Sequence, residues 1–499
     1  MLFNSFFFLF FFLPVTWISF RFLCRKKTTE AAMAVLLIAS LVFYSYWNPP
    51  FVFLIFFSIV FNYFWGRKIQ KGIKNPKETG ITKKAWLYSG VAVNLALIGY
   101  FKYANFFMYN IASVGGWQWT GREIFLPLGI SFFTFQQIAY LMDSSKEVIR
   151  EHGFIQYALF VTFFPQLIAG PIVRYEQIIP QFSSQRFFVT NYRNIAIGFT
   201  LLSLGLFKKV VIADSLSPWV GAVYDSTVPF TFFEAWLGTL CYTFQIYFDF
   251  SGYSDMALGL GRLFNIQIPV NFNSPYKATS VIDFWRRWHI TLSTFLRDYL
   301  YIPLGGNRKG KSRRYVNLMA TMLLGGLWHG ASWNFVLWGG LHGFFLCVNH
   351  GFRKISERFE FRVPDFLGWM ITFLAVSLAW VFFRARSFLR AWDLLKGMAG
   401  YNGVALPSGF FSVPLVGDSL AFLGIDFSQP LTWTLSGGEN AFYLVICCLL
   451  LCVGLPSSQY FAEKILERPK IYSAIVIGTI FLAGVFSMNK ISEFLYFQF

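Results

Sequence analysis

The run Phe6-Phe7-Phe8-Leu9-Phe10-Phe11-Phe12-Leu13, closed by Arg21 and then by Arg25-Lys26-Lys27, decides what kind of chain this is. No charge falls between residues 2 and 20. As a helix that stretch is about 28 Å long, close to the thickness of a bilayer's hydrocarbon core. No basic residue precedes the run and no small-residue cleavage site follows it, so a retained first span is expected over 2–20 rather than a cleaved leader. Runs of similar character recur. Further spans are predicted at 31–47, 51–65, 86–108, 124–142, 154–172, 194–213, 232–250, 366–383, 441–455 and 471–488, and the apolar stretch 315–348 is interrupted by glycines.

Composition agrees with the pattern. Of 499 residues, 56% are hydrophobic and 13% charged, about half the charge of a soluble domain. One core cannot hide so much apolar surface, because soluble chains of this length split into domains instead. A soluble enzyme is excluded. The excess of 42 Lys and Arg over 24 Asp and Glu falls between apolar runs, not on one solvated face, which argues against a nucleic-acid partner and for the bilayer. The six cysteines, Cys24, Cys241, Cys347, Cys447, Cys448 and Cys452, lie in or beside apolar runs with no C-x-x-C pair, and read as small packing groups without a metal.

Orientation follows from the loops. Arg21, Arg25, Lys26 and Lys27, and the seven basic residues of 66–84, flank the uncharged turn Asn48-Pro49-Pro50. A first span running outside to inside satisfies both loops, with N- and C-termini on the outer side. Residues 401–440, which contain no Lys or Arg, are expected on the outer side, and the basic loop 308–314 on the inner side. Arg384, Arg386 and Arg390 fit this scheme poorly and suggest snorkelling or a shifted boundary. Pro127-Leu128-Gly129 and Pro165 through Pro171 break two of the spans. Irregular backbone at membrane depth is tolerated where protein or a wet cavity surrounds it. The expected fold is therefore all-α and polytopic, one domain over 1–499 with roughly a dozen helices and re-entrant segments around an internal cavity, which the resemblance given below implies to be a central tunnel. Ordinary kinked helices are the plainer alternative.

Residues 283–302 combine Trp285, Trp288, His289, Leu292, Leu296 and Tyr299 on one helical face with Asp283, Arg286, Arg297 and Asp298, predicting one interfacial or re-entrant amphipathic helix. Downstream, Gly325-Gly326-Leu327-Trp328-His329-Gly330 is echoed by Gly339-Gly340-Leu341-His342-Gly343. Glycines permit close approach of a backbone or a ligand, and an ionisable group at membrane depth is a functional candidate. A neutral imidazole there suits a general base. Plainer readings stand beside this one: an interfacial His289 with one hydrogen bond, a His329 bonded within a packing notch, a His342 bonded to a nearby carbonyl. Zinc would need three or four ligands, and no spacing joins Asp249 and Asp255 to the histidines.

The run Asp283-Phe284-Trp285-Arg286-Arg287-Trp288-His289-Ile290-Thr291-Leu292-Ser293, followed by Trp328-His329-Gly330, resembles the membrane-bound O-acyltransferase family. Pro127 to Phe132, Phe164 to Pro171, Tyr247 to Asp255 and Tyr301 to Asn307 resemble its bacterial polysaccharide-acetylating branch, as in alginate O-acetylation. The resemblance covers nearly the whole chain. It implies a catalytic region at 283–348, with His329 as the catalytic histidine and His289 at the family's second position. It also implies transfer of an acetyl group from a cytoplasmic thioester, with acetyl-CoA the expected donor and no cofactor. The acceptor side would be an extracytoplasmic acetyl-accepting protein or a polysaccharide-modifying enzyme. A polyanionic donor must stop at a basic mouth, for which Arg286, Arg287, Arg308, Lys309 and Lys311 are the candidates, against the plainer reading of a topology signal. Trp288, Trp328, Asp249 and Asp255 are candidate tunnel-lining residues, and His329 is expected to face a water-accessible channel. Alternatives are peptidoglycan acetylation, D-alanyl transfer, a secondary transporter built on broken helices, and a non-catalytic scaffold.

Overall fold

A helix that is apolar on every side must pack against lipid or against other helices. A computed structural model of the chain shows both. It describes residues 1–26, 28–74, 83–146, 148–149, 152–404, 435–467, 470–488 and 495. Among these there is no strand. In the first helix, α1 (Phe8–Arg25), the phenylalanine run divides by periodicity. Phe8 and Phe12 are buried, while Phe6, Phe7, Phe10 and Phe11 lie half exposed on the opposite side, where lipid is the natural solvent. The buried rings meet Phe43 of α2 (Thr29–Ser45) and Phe164 at centroid distances of 5.5 to 6.1 Å.

The chain continues through α3 (Phe51–Lys74), α4 (Lys83–Gly115), α5 (Ile130–Ser145), α6 (Phe154–Thr162), α7 (Tyr192–Tyr224) and α8 (Phe232–Leu263). Two short helices follow, α9 (Val281–Arg287) and α10 (Ile290–Leu296). The remainder is α11 (Lys311–His329), α12 (Trp333–Phe359), α13 (Asp365–Arg384), α14 (Phe388–Met398), α15 (Gly438–Gly454), α16 (Ser458–Ile465) and α17 (Ile471–Phe486). Among the described residues, five helices are long and apolar enough to cross a bilayer: α1, α3, α4, α7 and α13. The pair α15 and α16, bent by 62°, makes a sixth if it is one broken span.

More helices form than the expected dozen because several predicted spans are broken or redivided. The span at 124–142 is helical only from Ile130, since Gly129 turns left-handed (φ +70°) with its Cα against the Leu167 and Ile168 backbone. The span at 154–172 stops at Thr162 and resumes for one turn at Phe164–Leu167. The stretch 315–348 is two helices, α11 and α12. The span at 232–250 instead runs on to Leu263, 32 residues in all. Most of the expected outer loop at 401–440, namely 405–434, lies outside the described residues.

Two helix crossings are built on glycine. In α7 and α8, Gly205 faces Gly252 and Gly198 faces Gly259, so that a Cβ on any of the four would sit within 2.7 Å of the opposite glycine's carbonyl oxygen. In α11 and α12, Gly326 faces Gly339, and a Cβ on either would lie about 3 Å from the other's Cα and closer still to the carbonyl oxygen of Phe335 or Met322. Small residues at such crossings let membrane helices gain van der Waals contact that lipid cannot supply.

Several of the charges read from the sequence find partners across the fold. Arg21 is buried; its guanidinium donates to the carbonyls of Val189 and Leu263, 3.0 Å each, and Trp17 Nε1 joins it on Leu263 at 3.1 Å. It therefore caps the end of α8. Arg384 and Arg386, which fitted the topology poorly, both pair with Asp225 at 2.9 and 3.0 Å, and Arg390 donates to the Val223 and Val228 carbonyls at the end of α7.

The α7–α8 crossing makes a direct expectation. Gly252→Val places its Cβ 2.7 Å from Gly205 O and 3.0 Å from Lys209 N, an overpacking worth about 1–3 kcal/mol. It should lower the melting temperature of detergent-solubilised protein, whereas Gly351→Ala, where a Cβ meets nothing within 4 Å, should not.

Candidate active site

The site begins where α11 ends. The chain leaves the helix at Gly330 in an extended conformation, and a Cβ there would lie 2.1 Å from the Phe335 ring. The carbonyls of the last helical turn lack intrahelical partners. A π-turn in α4, Gly99–Tyr103, supplies them. Lys102 Nζ donates to the carbonyls of Trp328 (2.6 Å) and His329 (3.0 Å) and reaches Ser131 Oγ (3.4 Å). Tyr103 Oη donates to the carbonyl of Leu327 (2.9 Å). A cation at a helix C-terminus also offsets the negative end of the helix dipole. Both residues stand in the predicted span 86–108, and neither was singled out from the sequence; a lysine inside an apolar run was the one available signal.

His329 is 4% exposed. Its ring lies among Trp328, Trp338 and Phe383, at centroid distances of 4.9, 5.0 and 5.2 Å. The ring does not open directly onto the water-accessible channel expected from the sequence; aromatic side chains enclose it. Cavities flank the helix end on two sides. One, of about 90 Å³, is lined by Leu126 to Phe132 and by Ile168 and Ala169; the other, of about 410 Å³, by Asn110, Ala331 to Asn334 and neighbours.

His289 does not lie on one long amphipathic helix. Residues 283–302 break into α9, an extended Trp288, His289 at φ +42°, α10, and a π-turn over Arg297–Tyr301. The break has an identifiable cause in Asn271, which is fully buried. Its carbonyl accepts from Ile290 N (2.9 Å), and its Oδ1 accepts from Thr291 N (3.2 Å) and Thr291 Oγ1 (2.8 Å). The same Oδ1 stands 3.1 Å from His289 Nδ1. Because Oδ1 only accepts, Nδ1 carries the proton and Nε2 is the basic nitrogen. The Phe250 ring stands nearly perpendicular to the imidazole at 4.8 Å.

The two histidines share Trp328, whose ring is 4.9 Å from His329 and 6.2 Å from His289. Trp328 is itself held by stacking on Phe135 at 5.2 Å. His342 is fully buried against Trp338 (4.8 Å), and its Nδ1 accepts from Trp285 Nε1 (3.3 Å), so its partner is an indole rather than a carbonyl.

The remaining predicted site residues scatter. Trp288 is buried and packs on Trp380 at 5.0 Å, behind the histidines. Arg286, Arg308 and Lys309 are exposed; Arg287 pairs with Asp283 at 2.9 Å; the side chain of Lys311 lies outside the described residues. Asp249 and Asp255 are committed elsewhere. Asp249 pairs with Lys209 (2.7 Å) and accepts from Leu495 N, while Asp255 pairs with Lys208 (2.7 Å) and Gln459 (2.6 Å). They occupy the side of α8 that faces the Lys208–Ala213 π-turn, whereas Phe250 faces His289. Both carboxylates are thus engaged in ion pairs beside the α7–α8 crossing.

Apolar helices packed around buried imidazoles are the frame of a membrane-embedded helical protein. The family model for "MBOAT, membrane-bound O-acyltransferase family" matches residues 89–392, and the chain belongs to that family. It is an O-acyltransferase. Its relatives include a peptidoglycan O-acetyltransferase of Helicobacter pylori, 41% identical over all of this chain and 98% of that one. A probable alginate O-acetylase of Pseudomonas aeruginosa is 43% identical over 81% and 75% of the two chains. A teichoic acid D-alanyltransferase of Streptococcus thermophilus is 28% identical over 51% and 68%.

Lys102→Met keeps the aliphatic stem and removes the ammonium. Hydrogen bonds from a charged group contribute about 1.5–3 kcal/mol, so acyl transfer should fall by about tenfold or more in protein that still elutes as folded. Unchanged turnover would show that the end of α11 is held without Lys102.

Proposed function

We propose that the chain moves an acetyl group from a cytoplasmic thioester, acetyl-CoA, to the extracytoplasmic machinery that O-acetylates an exported or cell-wall polysaccharide. The observation that carries this reading is His329, buried at the end of a helix that starts in the basic loop 308–314, beside a second histidine whose tautomer Asn271 sets. A hydroxyl is a poor nucleophile. His329 takes its proton as the hydroxyl oxygen attacks the thioester carbonyl; the tetrahedral adduct then expels the thiolate, which recovers a proton from the imidazolium. Aromatic walls exclude water, which would otherwise hydrolyse the thioester.

The donor's phosphates stay outside the bilayer, where Arg286, Arg308 and Lys309 are exposed. Thioester and polysaccharide then remain on opposite sides, and only the acyl group crosses. This places the basic loops in the cytoplasm of a bacterial inner membrane, with the termini outside. Relatives named for peptidoglycan and for alginate both span nearly the whole chain, which supports acetyl and a polysaccharide over D-alanyl, whose named relative aligns with half of it.

Purified protein in lipid nanodiscs, with its partner and radiolabelled acetyl-CoA, should transfer label to partner or polysaccharide. His329→Ala should abolish transfer at normal expression, and His289→Ala should lower turnover about 10²-fold or more, the scale of a positioned acid–base group. Transfer surviving His329→Ala would make the chain a scaffold, and label moving only from a D-alanyl carrier would replace the donor.

A further inference from the structure

Buried polar groups without partners are uncommon enough that each needs an explanation. Three of them crowd around His329. Trp328 Nε1, Trp338 Nε1 and His342 Nε2 are all buried without a hydrogen-bond partner, in residues 5%, 1% and 0% exposed. The tautomer of His342 follows from its neighbour. An indole nitrogen only donates, so His342 Nδ1, 3.3 Å from Trp285 Nε1, is the acceptor and Nε2 carries the hydrogen. All three groups are therefore N–H donors lacking an acceptor.

Their placement is fixed by packing. Trp338 and His342 are four residues apart on α12 and so share one face, with ring centroids 4.8 Å apart. Trp338 is also 5.0 Å from His329 and stacks on Trp380 at 5.6 Å. The Gly326–Gly339 crossing brings this face of α12 against the end of α11. Leaving a donor buried and unpaired costs about 1–3 kcal/mol, and an inert wall of phenylalanine would avoid that cost. The ligand these groups fit is acceptor-only and uncharged in its ground state: a carbonyl oxygen.

We infer that Trp338 and His342, with Trp328, which also contacts the His329 ring, donate to the acyl carbonyl oxygen and hold the oxyanion of the tetrahedral adduct. This rests on the acyl-transfer reading above. When the acceptor oxygen bonds to the carbonyl carbon, its proton passes to His329 and the carbonyl π pair moves to oxygen, where the N–H groups stabilise it. The pair returns as the carbon–sulfur bond breaks, and the thiolate takes the proton from His329. Donors preorganised in a water-free site act without reorganisation, and losing one typically costs about 10²–10³-fold in kcat.

The test uses Trp338→Phe, which keeps a ring and deletes the N–H, with His342→Phe and His342→Gln, the latter retaining a donor. Trp338→Phe and His342→Phe should each lower kcat by about 10²-fold with KM for acetyl-CoA little changed, and His342→Gln should recover part of the loss. Infrared spectra of [1-¹³C]acetyl-CoA bound to His329→Ala protein give a readout that packing alone does not move. The carbonyl stretch should lie below its value in water, and Trp338→Phe in that background should shift it back. If His342→Phe fails to fold, Trp338→Phe and the spectra decide alone. Variants of normal kcat beside an inactive His329→Ala would overturn the oxyanion assignment and leave His329 standing, as would lost activity with an unmoved carbonyl stretch. An active His329→Ala would instead remove the acyl-transfer reading itself.

Discussion

Everything in this molecule answers to the rule that a backbone carbonyl inside a membrane protein needs a donor from the protein, because hydrocarbon supplies none. Helix ends are where the rule bites, since the last carbonyls have no partner further along. Long cationic side chains from distant segments meet the need three times. Lys102 closes α11, Arg21 closes α8 and Arg390 reaches the end of α7. Each joins residues more than 160 positions apart, so the caps also stitch the bundle together. At α11 the cap has a chemical consequence. The helix stops inside the protein, and the residue at which it stops is His329.

The glycine crossings set how near the walls of the site approach. With Gly326 against Gly339, α11 and α12 touch at backbone distance, and His329 of one helix falls within ring contact of Trp338 of the other, which in turn contacts His342. The repeated Gly-Gly-Leu segments thus act as the two halves of one contact. The α7–α8 pair does the same on a larger scale and holds the buried Lys208–Asp255 and Lys209–Asp249 pairs beside it. A buried ion pair contributes little net stability once its desolvation is counted, but breaking one leaves a costly charge behind. These pairs therefore fix register.

Much of this was legible in the sequence, and what was not has physical reasons. Apolar runs located most spans, and prolines and glycines located the breaks at Gly129 and beyond Thr162, because both signals are local. The helix predicted over 283–302 was not local. Its periodicity presumes helical backbone at each residue, and at His289 hydrogen bonds from Asn271, eighteen positions upstream, override it. Charge is equally non-local. The partners of Arg21, Asp249 and Asp255 could not be read from the sequence, because each is found across the fold. Lys102 carried a visible anomaly, a cation within an apolar span, and its use became clear only with the end of α11 in place.

The pattern of nitrogens around His329 has a logic of its own. The indoles of Trp328 and Trp338 cannot accept a proton, and the Nδ1 of His342 is already occupied by Trp285. The Lys102 ammonium is directed at carbonyl oxygens. The basic nitrogens in the cluster then belong to His329 and to Nε2 of His289, and Asn271 settles which nitrogen of His289 that is. A proton leaving a hydroxyl in this pocket meets donors on most sides and bases on few. Aromatic residues that carry an N–H give an apolar wall that still directs charge, and phenylalanines of similar size, which would exclude water equally well, would give the proton and the oxyanion no separate destinations.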